Sequence, residues 1–249
     1  MIDHLLLLIV AIISNIFSAF SGGGAGVIQL PAILFIFEAN FVSALAVHKV
    51  ATVALGMGAT LKFTQVNNLD NKFTLHSLII GIPFVIIGAQ LVMLIDESLA
   101  RMMLGIMIVT ISLYTILLRD FGEKNLENEV TRPKKMIGYF LLCIVAFLNG
   151  SLSAGTGLIF TLVLVTFFKM NIKKAIVYTL FIVGFFYNLT GAITLGIISD
   201  INWIILPSLF IGSLLGGYLG AKLAIQKDNK TIKHAFQIIT LAVGISLLV

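Results

Sequence analysis

Long apolar stretches, separated by short clusters of charged and turn-forming residues, dominate this sequence. The pattern predicts five membrane segments in the first half of the chain, at 3–20, 25–37, 41–62, 73–95 and 98–118. It predicts five more in the second half, at 136–152, 157–168, 172–195, 202–225 and 231–249. A helix needs about 20 residues to cross the hydrocarbon core of a bilayer. The last three segments of each half meet that length, and we expect the first two of each half to be short and broken by glycine-rich turns.

The halves resemble each other at a fixed spacing. Gly24 and Gly155 are 131 positions apart, and so are Gly26 and Gly157. The same spacing pairs further residues near predicted breaks and turns: Phe37 with Phe168, Asn40 with Asn171, Ala44 with Ala175, Asn71 with Asn202 and Gly81 with Gly212. Turns constrain residue choice through backbone geometry, so matches there favour a duplication. The chain then divides into membrane repeat 1 (1–118), a cytoplasmic linker (119–135) and membrane repeat 2 (136–249).

The distribution of basic residues predicts the orientation. When the linker is placed in the cytoplasm, fourteen of the sixteen Lys and Arg residues fall on its side. Arg101 falls at the outer face and Lys49 lies within a span. Basic residues collect in cytoplasmic loops, so this asymmetry supports the assignment. Five segments per repeat, an odd number, invert the second repeat relative to the first and place both termini outside the cytoplasm. Inverted repeats with broken helices are typical of secondary transporters.

Composition supports a membrane protein and excludes several other classes. Hydrophobic residues make up 59% of the chain and charged residues 11%, against about 25% in soluble domains. The net charge of +5 is explained by cytoplasmic loops and does not indicate nucleic-acid binding. The lone Cys143 excludes an internal disulfide framework or a cysteine metal cluster. The N-terminal apolar run lacks a basic region before it, so we expect a retained segment and no cleaved signal peptide.

The glycine-rich stretch from Phe20 to Pro31 interrupts an apolar region. No Lys-Ser or Lys-Thr follows these glycines, which argues against a nucleotide-binding loop. A half-helix starting near Gly24 would instead point free N–H groups and a partial positive charge into the protein, as an anion site does. Close packing of small residues between helices is the alternative explanation. We predict a substrate site from both breaks, formed by Ser21, Gly22, Gly23, Gly24, Gly26, Gln29, Asn149, Ser153, Gly155, Thr156 and Gly157.

Lys49 completes the predicted site. It lies about 12 Å along its segment, too deep to reach the interface easily, and a buried cation in a membrane indicates function. A structural lysine bonded to helix-end carbonyls is the alternative. The neighbouring His48 faces about 100° away; it is either a packing residue or a group that titrates in a coupling step. All eleven Asp and Glu residues fall in loops or at segment ends, and this favours an anionic substrate over a cation. Polar side chains of Tyr178, Thr179, Asn188 and Thr190 are further candidate liners.

Four stretches of the chain resemble the sulfite exporter (TauE/SafE-type) family of membrane permeases. They are FSAFSGGGAGVIQLPAIL and ALAVHKVATVALGMGATLKF in the first half, and FLNGSLSAGTGLIF and IGSLLGGYLGAKLA in the second. The resemblance implies a carrier for a small anion such as sulfite, a sulfonate or a carboxylate in the bacterial inner membrane. In the second glycine motif, Thr161-Leu162 stands where the first has Pro31.

The sequence therefore predicts an all-α polytopic membrane protein that transports a small anion through the lipid bilayer. Zinc-helix and serine-elbow signatures of membrane enzymes are missing, so we expect neither catalysis nor a cofactor or metal. An anion channel and a non-transporting scaffold or signalling subunit stay open as alternatives, as do homo-oligomer formation, transport direction and the coupling ion. Also open is whether the short segments span the bilayer or form re-entrant hairpins.

Overall fold

The computed structural model describes residues 2–37, 40–64, 69–94, 96–117, 121–127, 130–246 and 248, and these residues form helices and connecting turns with no strand. The helices of the first half are α1 (Ile2–Ser21), α2 (Ala25–Phe37), α3 (Phe41–Phe63), α4 (Asn71–Leu91) and α5 (Glu97–Leu117). Those of the second half are α6 (Arg132–Ser151), α7 (Thr156–Phe167), α8 (Ile172–Thr179), α9 (Asn188–Ile198), α10 (Leu206–Gln226) and α11 (Asn229–Ser246). Six of the described helices are long and apolar enough to cross a bilayer.

The predicted segments match these helices closely, with one correction. The first segment of each half is not short, because α1 and α6 each have 20 residues. The extra residues of α6 lie at its start, because the helix begins at Arg132 with Pro133 in its first turn, where proline is well tolerated, and α1 extends one residue beyond each predicted end. Only α2, with 13 residues, and α7, with 12, are short. The expected turn at Glu38 lies outside the described residues.

Each short helix folds back along the long helix before it. The His4 ring, at the start of α1, lies 5.8 Å from the Phe37 ring at the end of α2. The Tyr139 ring, near the start of α6, lies 5.0 Å from the Phe168 ring just after α7. Both pairs therefore form helical hairpins with the glycine break at the tip. The short helices α2 and α7 therefore turn back at the glycine breaks.

Helices of the two halves interlock. The hairpin helix α1 packs along α10, and α6 packs along α4. Glycines at these contacts let backbones approach: a Cβ atom on Gly216 would lie 2.6 Å from Ile12 O, and one on Gly88 would overlap Phe147 O. In the centre, α3 packs against the helix from Ile172 to Ile198. That helix is continuous through α8 and α9, and its middle, Leu180–Tyr187, is π-helical.

One end of the bundle gathers the described part of the linker and the basic loops. Ile172 N–H donates to Gly122 O at 2.8 Å, and Leu126 N–H donates to Lys169 O at 2.9 Å. Two ion pairs add to these bonds, from Lys174 Nζ to Glu127 Oε1 at 2.7 Å and from Lys233 Nζ to Glu123 Oε1 at 2.5 Å. Segments predicted to share one membrane face thus meet at one end. The opposite end holds the exposed Asp200, whose carbonyl accepts a bond from Ser43 Oγ at 2.7 Å.

A cavity where two helix breaks meet

The tips of the two hairpins line a small central cavity of about 30 Å³. By its volume it has room for roughly one or two water molecules. The cavity wall comes from α1, both glycine breaks, α3 and the helix from Ile172 to Ile198. Its lining residues are Ser18, Gly22, Gly23, Gly24, Ala25, Gly26, His48, Thr52, Leu55, Asn149, Ser153, Thr156, Gly157, Thr179, Leu180, Val183, Gly184 and Asn188.

The two breaks touch each other directly. A Cβ atom on Gly23 would lie 2.6 Å from Leu158 N and 2.7 Å from Gly157 C, so only glycine fits. Thr161 Oγ1 donates to Gly22 O at 3.1 Å and also bonds Thr179 Oγ1 at 2.8 Å. Thr161 thus links the two hairpins by a hydrogen bond, a role that the sequence did not reveal. The glycines serve close packing as well as lining the cavity.

Helix starts and helix ends meet at the cavity. The first residues of α2 and α7 line it, and some of their amides are bonded within the breaks: Val27 N–H donates to Gly24 O at 3.1 Å and Leu158 N–H to Gly155 O at 3.0 Å. The helix C-termini at the same place are partnered by the chain itself. Ser18 O accepts bonds from Gly22 N–H at 2.8 Å and Gly23 N–H at 2.9 Å, and Leu148 O accepts from Leu152 N–H at 2.9 Å. Two helix starts, each with a partial positive charge, therefore face the cavity beside the ends of α1 and α6.

Lys49 lies behind the cavity wall and contributes no lining atoms. Its side chain is fully buried, and Nζ donates to Asn149 O at 2.5 Å, near the C-terminus of α6. Nζ also lies 3.4 Å from both Asn149 Oδ1 and Asn188 Oδ1. Asn149 Nδ2 in turn donates to Thr156 Oγ1 at 3.1 Å. The ammonium thus orients two asparagines that do line the cavity, and its positive charge stays close by.

His48 lines the cavity instead, as expected for a residue about 100° around the helix from Lys49. Its Nδ1 atom lies 2.7 Å from Gln29 Oε1, and Gln29 Nε2 donates to Ser213 Oγ at 3.1 Å. Asn15 Nδ2 also donates to Ser213 Oγ, at 2.9 Å. All four side chains are buried. Gln29 therefore supports the histidine and does not reach the cavity.

The structure brings most, but not all, of the predicted site residues together. Those at the cavity are Gly22, Gly23, Gly24, Gly26, Asn149, Ser153, Thr156 and Gly157. Those outside its wall are Ser21, Gln29, Lys49 and Gly155. Of the further candidates, Thr179 and Asn188 line it. Tyr178 and Thr190 do not, since Tyr178 Oη accepts a bond from Asp70 N–H and Thr190 Oγ1 donates to Phe186 O.

Sequence reasoning missed the apolar part of the wall and underrated His48. Leu55, Leu180 and Val183 look like ordinary packing residues, and only their π-helical or central position brings them to the cavity. No carboxylate occurs among the described residues of the wall, and no group of three or more His, Cys, Asp or Glu residues in the described part of the chain is arranged to hold a metal ion. The chemistry available is hydrogen-bond donation within a positively biased, half-apolar space.

Comparisons with known proteins agree with this architecture. The family model described as Sulfite exporter TauE/SafE matches residues 6–247. The probable membrane transporter protein YunE of Bacillus subtilis is 23% identical over an alignment covering 99% of this chain and 97% of that protein. The probable membrane transporter protein ORF9 of a Sinorhizobium species is 26% identical, covering 98% of this chain and 93% of that protein. A probable membrane transporter protein of Haemophilus influenzae is 27% identical, with 92% and 88% covered.

No solved structure matches the chain at a significant level. The family expected from the glycine motifs is confirmed, because the matched region extends over nearly the whole chain. With six described helices able to cross a bilayer, the chain is a multi-pass membrane protein and belongs to the sulfite exporter TauE/SafE family of membrane transporters.

Proposed function

We propose that the protein is a secondary transporter of a small anion such as sulfite, an organosulfonate or a related carboxylate, and that the cavity at the two breaks is its binding site. The observation that carries this proposal is the pair of helix N-termini facing one cavity whose described lining residues include no carboxylate. Amides at helix starts bind anions through direct hydrogen bonds and the helix dipole. Ser153, Thr156 and Asn188 add neutral side chains that can donate further bonds, and Lys49 supplies positive charge behind them.

The fold supports a rocking movement of two inverted repeats about this site. At the 131-residue spacing α1 corresponds to α6 and α4 to α10, so the packing of α1 on α10 is the counterpart of α6 on α4. The helix caps correspond too: Asn40 Oδ1 accepts from Ser43 N–H and Asn171 Oδ1 from Lys174 N–H, each at 2.9 Å. Two equivalent halves, each with helices packed on the other half, can move between two equivalent arrangements. Such movement is the basis of alternating access.

We further propose an inner-membrane location with the basic end in the cytoplasm and both termini outside. By their positions along the chain, fourteen of the sixteen Lys and Arg residues fall in segments assigned to that side, as the positive-inside rule requires. The cavity then lies between a cytoplasmic face rich in lysine and an outer face that carries Asp200. Anions arriving from the cytoplasm would be concentrated near the basic end by its charge.

Exchange in proteoliposomes tests the function directly. Vesicles containing the purified protein and unlabelled anion are given the same anion in labelled form: sulfite, methanesulfonate or glycolate. We expect saturable uptake driven by exchange with the internal anion, as a carrier shows. A channel, the competing function for the same cavity, would give unsaturated flux and measurable conductance without such exchange. A protein that moves none of the three anions would contradict the proposal.

Asn188→Asp tests whether the cavity itself is the site. The new carboxylate would stand 3.4 Å from Lys49 Nζ, where an ion pair favours a folded protein but cancels the positive charge of the site. We expect exchange to fall at least about 100-fold, since roughly 3 kcal/mol of binding free energy corresponds to that factor. Asn202→Asp makes the same change far from the cavity, in the turn before α10, and should leave exchange unchanged. Normal exchange by Asn188→Asp would place the site elsewhere.

A further inference from the structure

His48 stands in an arrangement that leaves one specific nitrogen open to the cavity. Nδ1 is held by Gln29 Oε1, whose amide is oriented because Nε2 of Gln29 donates to Ser213 Oγ. The acceptor at Gln29 Oε1 fixes the proton of the imidazole on Nδ1. The neutral ring therefore carries its lone pair on Nε2, and a second proton can be added only there.

Nε2 points to the break between α1 and α2. A Cβ atom on Gly26 would lie 3.0 Å from Nε2 and 3.1 Å from Ala154 Cα, so the ring is packed between the two hairpin tips. Among the described residues no side chain or backbone group bonds Nε2, and His48 lines the cavity. Nε2 is therefore available to bond whatever occupies the cavity, be it water or a ligand.

The charges around His48 indicate which class of ligand the cavity would bind. Each element packed against the ring presents neutral groups there: Asn15 and Ser18 from α1, Gln29 from α2, Ser153 from the α6–α7 turn, Thr179 and Asn188 from the helix Ile172–Ile198, and Ser213 from α10. In the described part of the site the only charged side chain is Lys49, on His48's own helix. A proton on Nε2 thus adds a second positive charge without a counter-ion.

Binding of an anion in the cavity and protonation of His48 favour each other. The anion supplies the missing negative charge and an acceptor for the Nε2 proton, so it favours protonation. The protonated ring in turn supplies the anion with a charged donor. Because binding free energies are coupled reciprocally, each ligand must increase the affinity for the other by the same factor. Anion and proton are therefore expected to occupy the site together and leave it together.

We propose that His48 Nε2 is the binding site of a proton that is carried across the membrane with the anion, so that the protein is an anion–proton symporter. The inference rests on the proposed function and adds its coupling ion. For a monovalent anion one proton makes the transported pair neutral. Transport then responds to a pH gradient and is insensitive to membrane potential.

Methanesulfonate is the sharpest probe, because this strong acid stays an anion across the working pH range and cannot itself carry a proton. Proteoliposomes are made with a pH gradient, acid outside, and with the membrane potential held at zero by potassium and valinomycin. We expect the native protein to accumulate labelled methanesulfonate by roughly tenfold per pH unit and to acidify the lumen, which pyranine reports. An imposed potential without a pH gradient should give no accumulation. Labelled sulfite is run in parallel.

Two variants, His48→Gln and His48→Asn, separate coupling from anion movement. Because His48 lines the site, we expect both variants to bind the anion more weakly. At least one should still show exchange at raised anion concentration, since exchange needs no net proton movement, and should lose accumulation driven by the pH gradient. His76→Gln is the matched control, because His76 is exposed near the start of α4 and bonds only Lys72 O in the described structure. Its accumulation should equal that of the native protein.

The outcomes are distinguishable. Exchange by the native protein with accumulation that follows potential and ignores pH would overturn the symport inference while leaving the transporter in place. Accumulation driven by pH in both His48 variants would overturn the assignment to His48, and so would loss of exchange in both. Absence of any exchange of sulfite, methanesulfonate and glycolate by the native protein would overturn the proposed function, and this inference with it.

Discussion

Gly23 and Gly157 contact each other backbone to backbone, and this contact joins the two hairpin tips at the central cavity. A Cβ atom on Gly157 would lie 3.1 Å from Gly23 Cα, and one on Gly23 would lie 2.7 Å from Gly157 C. The residues are 134 positions apart in the chain, one in each half. Any movement of one hairpin relative to the other must therefore open or slide this contact.

Gly23→Ala should damage the fold more than the neighbouring Gly24→Ala. Both positions have positive φ, +150° and +99°, so each alanine costs about 1–3 kcal/mol of backbone strain. Only at Gly23 does the methyl group also collide, 2.6 Å from Leu158 N, whereas at Gly24 the nearest atoms are 3.6 Å away. We expect an additional loss of about 1–3 kcal/mol for Gly23→Ala. Thermal unfolding in detergent measures the difference, and equal melting temperatures would contradict the contact.

Lys49→Met separates stability from function. The substitution leaves the acceptors of Asn149 and Asn188 without the donor at Lys49, which lowers the stability of the fold by about 1–3 kcal/mol. It also removes a buried charge, whose desolvation costs several kcal/mol on folding. We therefore expect unchanged or higher thermal stability together with loss of anion exchange. Lys222→Met, at an exposed lysine of α10, should change neither. A destabilised Lys49→Met protein that still exchanges anions would show that Lys49 serves folding alone.

The orientation predicts which positions are accessible from outside the cell. In a background where the single cysteine is removed by Cys143→Ala, new cysteines are introduced at two exposed positions, Lys124→Cys and Asp200→Cys. An impermeant maleimide added to whole cells should label the cysteine at position 200. The cysteine at position 124 should react only after the membrane is permeabilised. The reverse pattern would mean that the basic end faces outward.

The stability of the folded linker should depend on pH through the carboxyl group of Glu123. The hydrogen bond from Lys233 Nζ, at 2.5 Å, holds the pKa of this carboxyl below its ordinary value. For an acid with a lowered pKa in the folded state, the stabilisation is present above the unfolded pKa and is lost as the pH falls through the folded pKa. Glu123→Gln should therefore increase hydrogen exchange of the 121–127 amides at neutral pH. In acid, below the lowered pKa, the variant and the native protein should exchange alike, whereas a difference that persisted there would contradict the assignment.

Much of the fold was predictable because its signals are local. Apolar runs bounded by charges located the helices to within a few residues, and Asn40 and Asn171 marked the starts of α3 and α8. The glycine motifs located both breaks and indicated the family, which the comparison confirmed. The length of α6 was underestimated because its first turn, from Arg132, is made of charged residues and a proline that look like part of the linker. The predicted α1 was one residue short at each end.

The sequence by itself determined the number and order of the segments, the positions of the breaks and the acid-free character of the spans, since these depend on neighbours along the chain. Only the tertiary structure decided that the short helices fold back as hairpins, that the hairpin tips touch, and that His48 lines the cavity while Lys49 supports it from behind. Those facts depend on side-chain direction and on packing between distant segments, such as Lys49 with Asn149, 100 positions apart. The direction of a side chain on a buried helix is set by the surfaces it meets, and no local pattern encodes them.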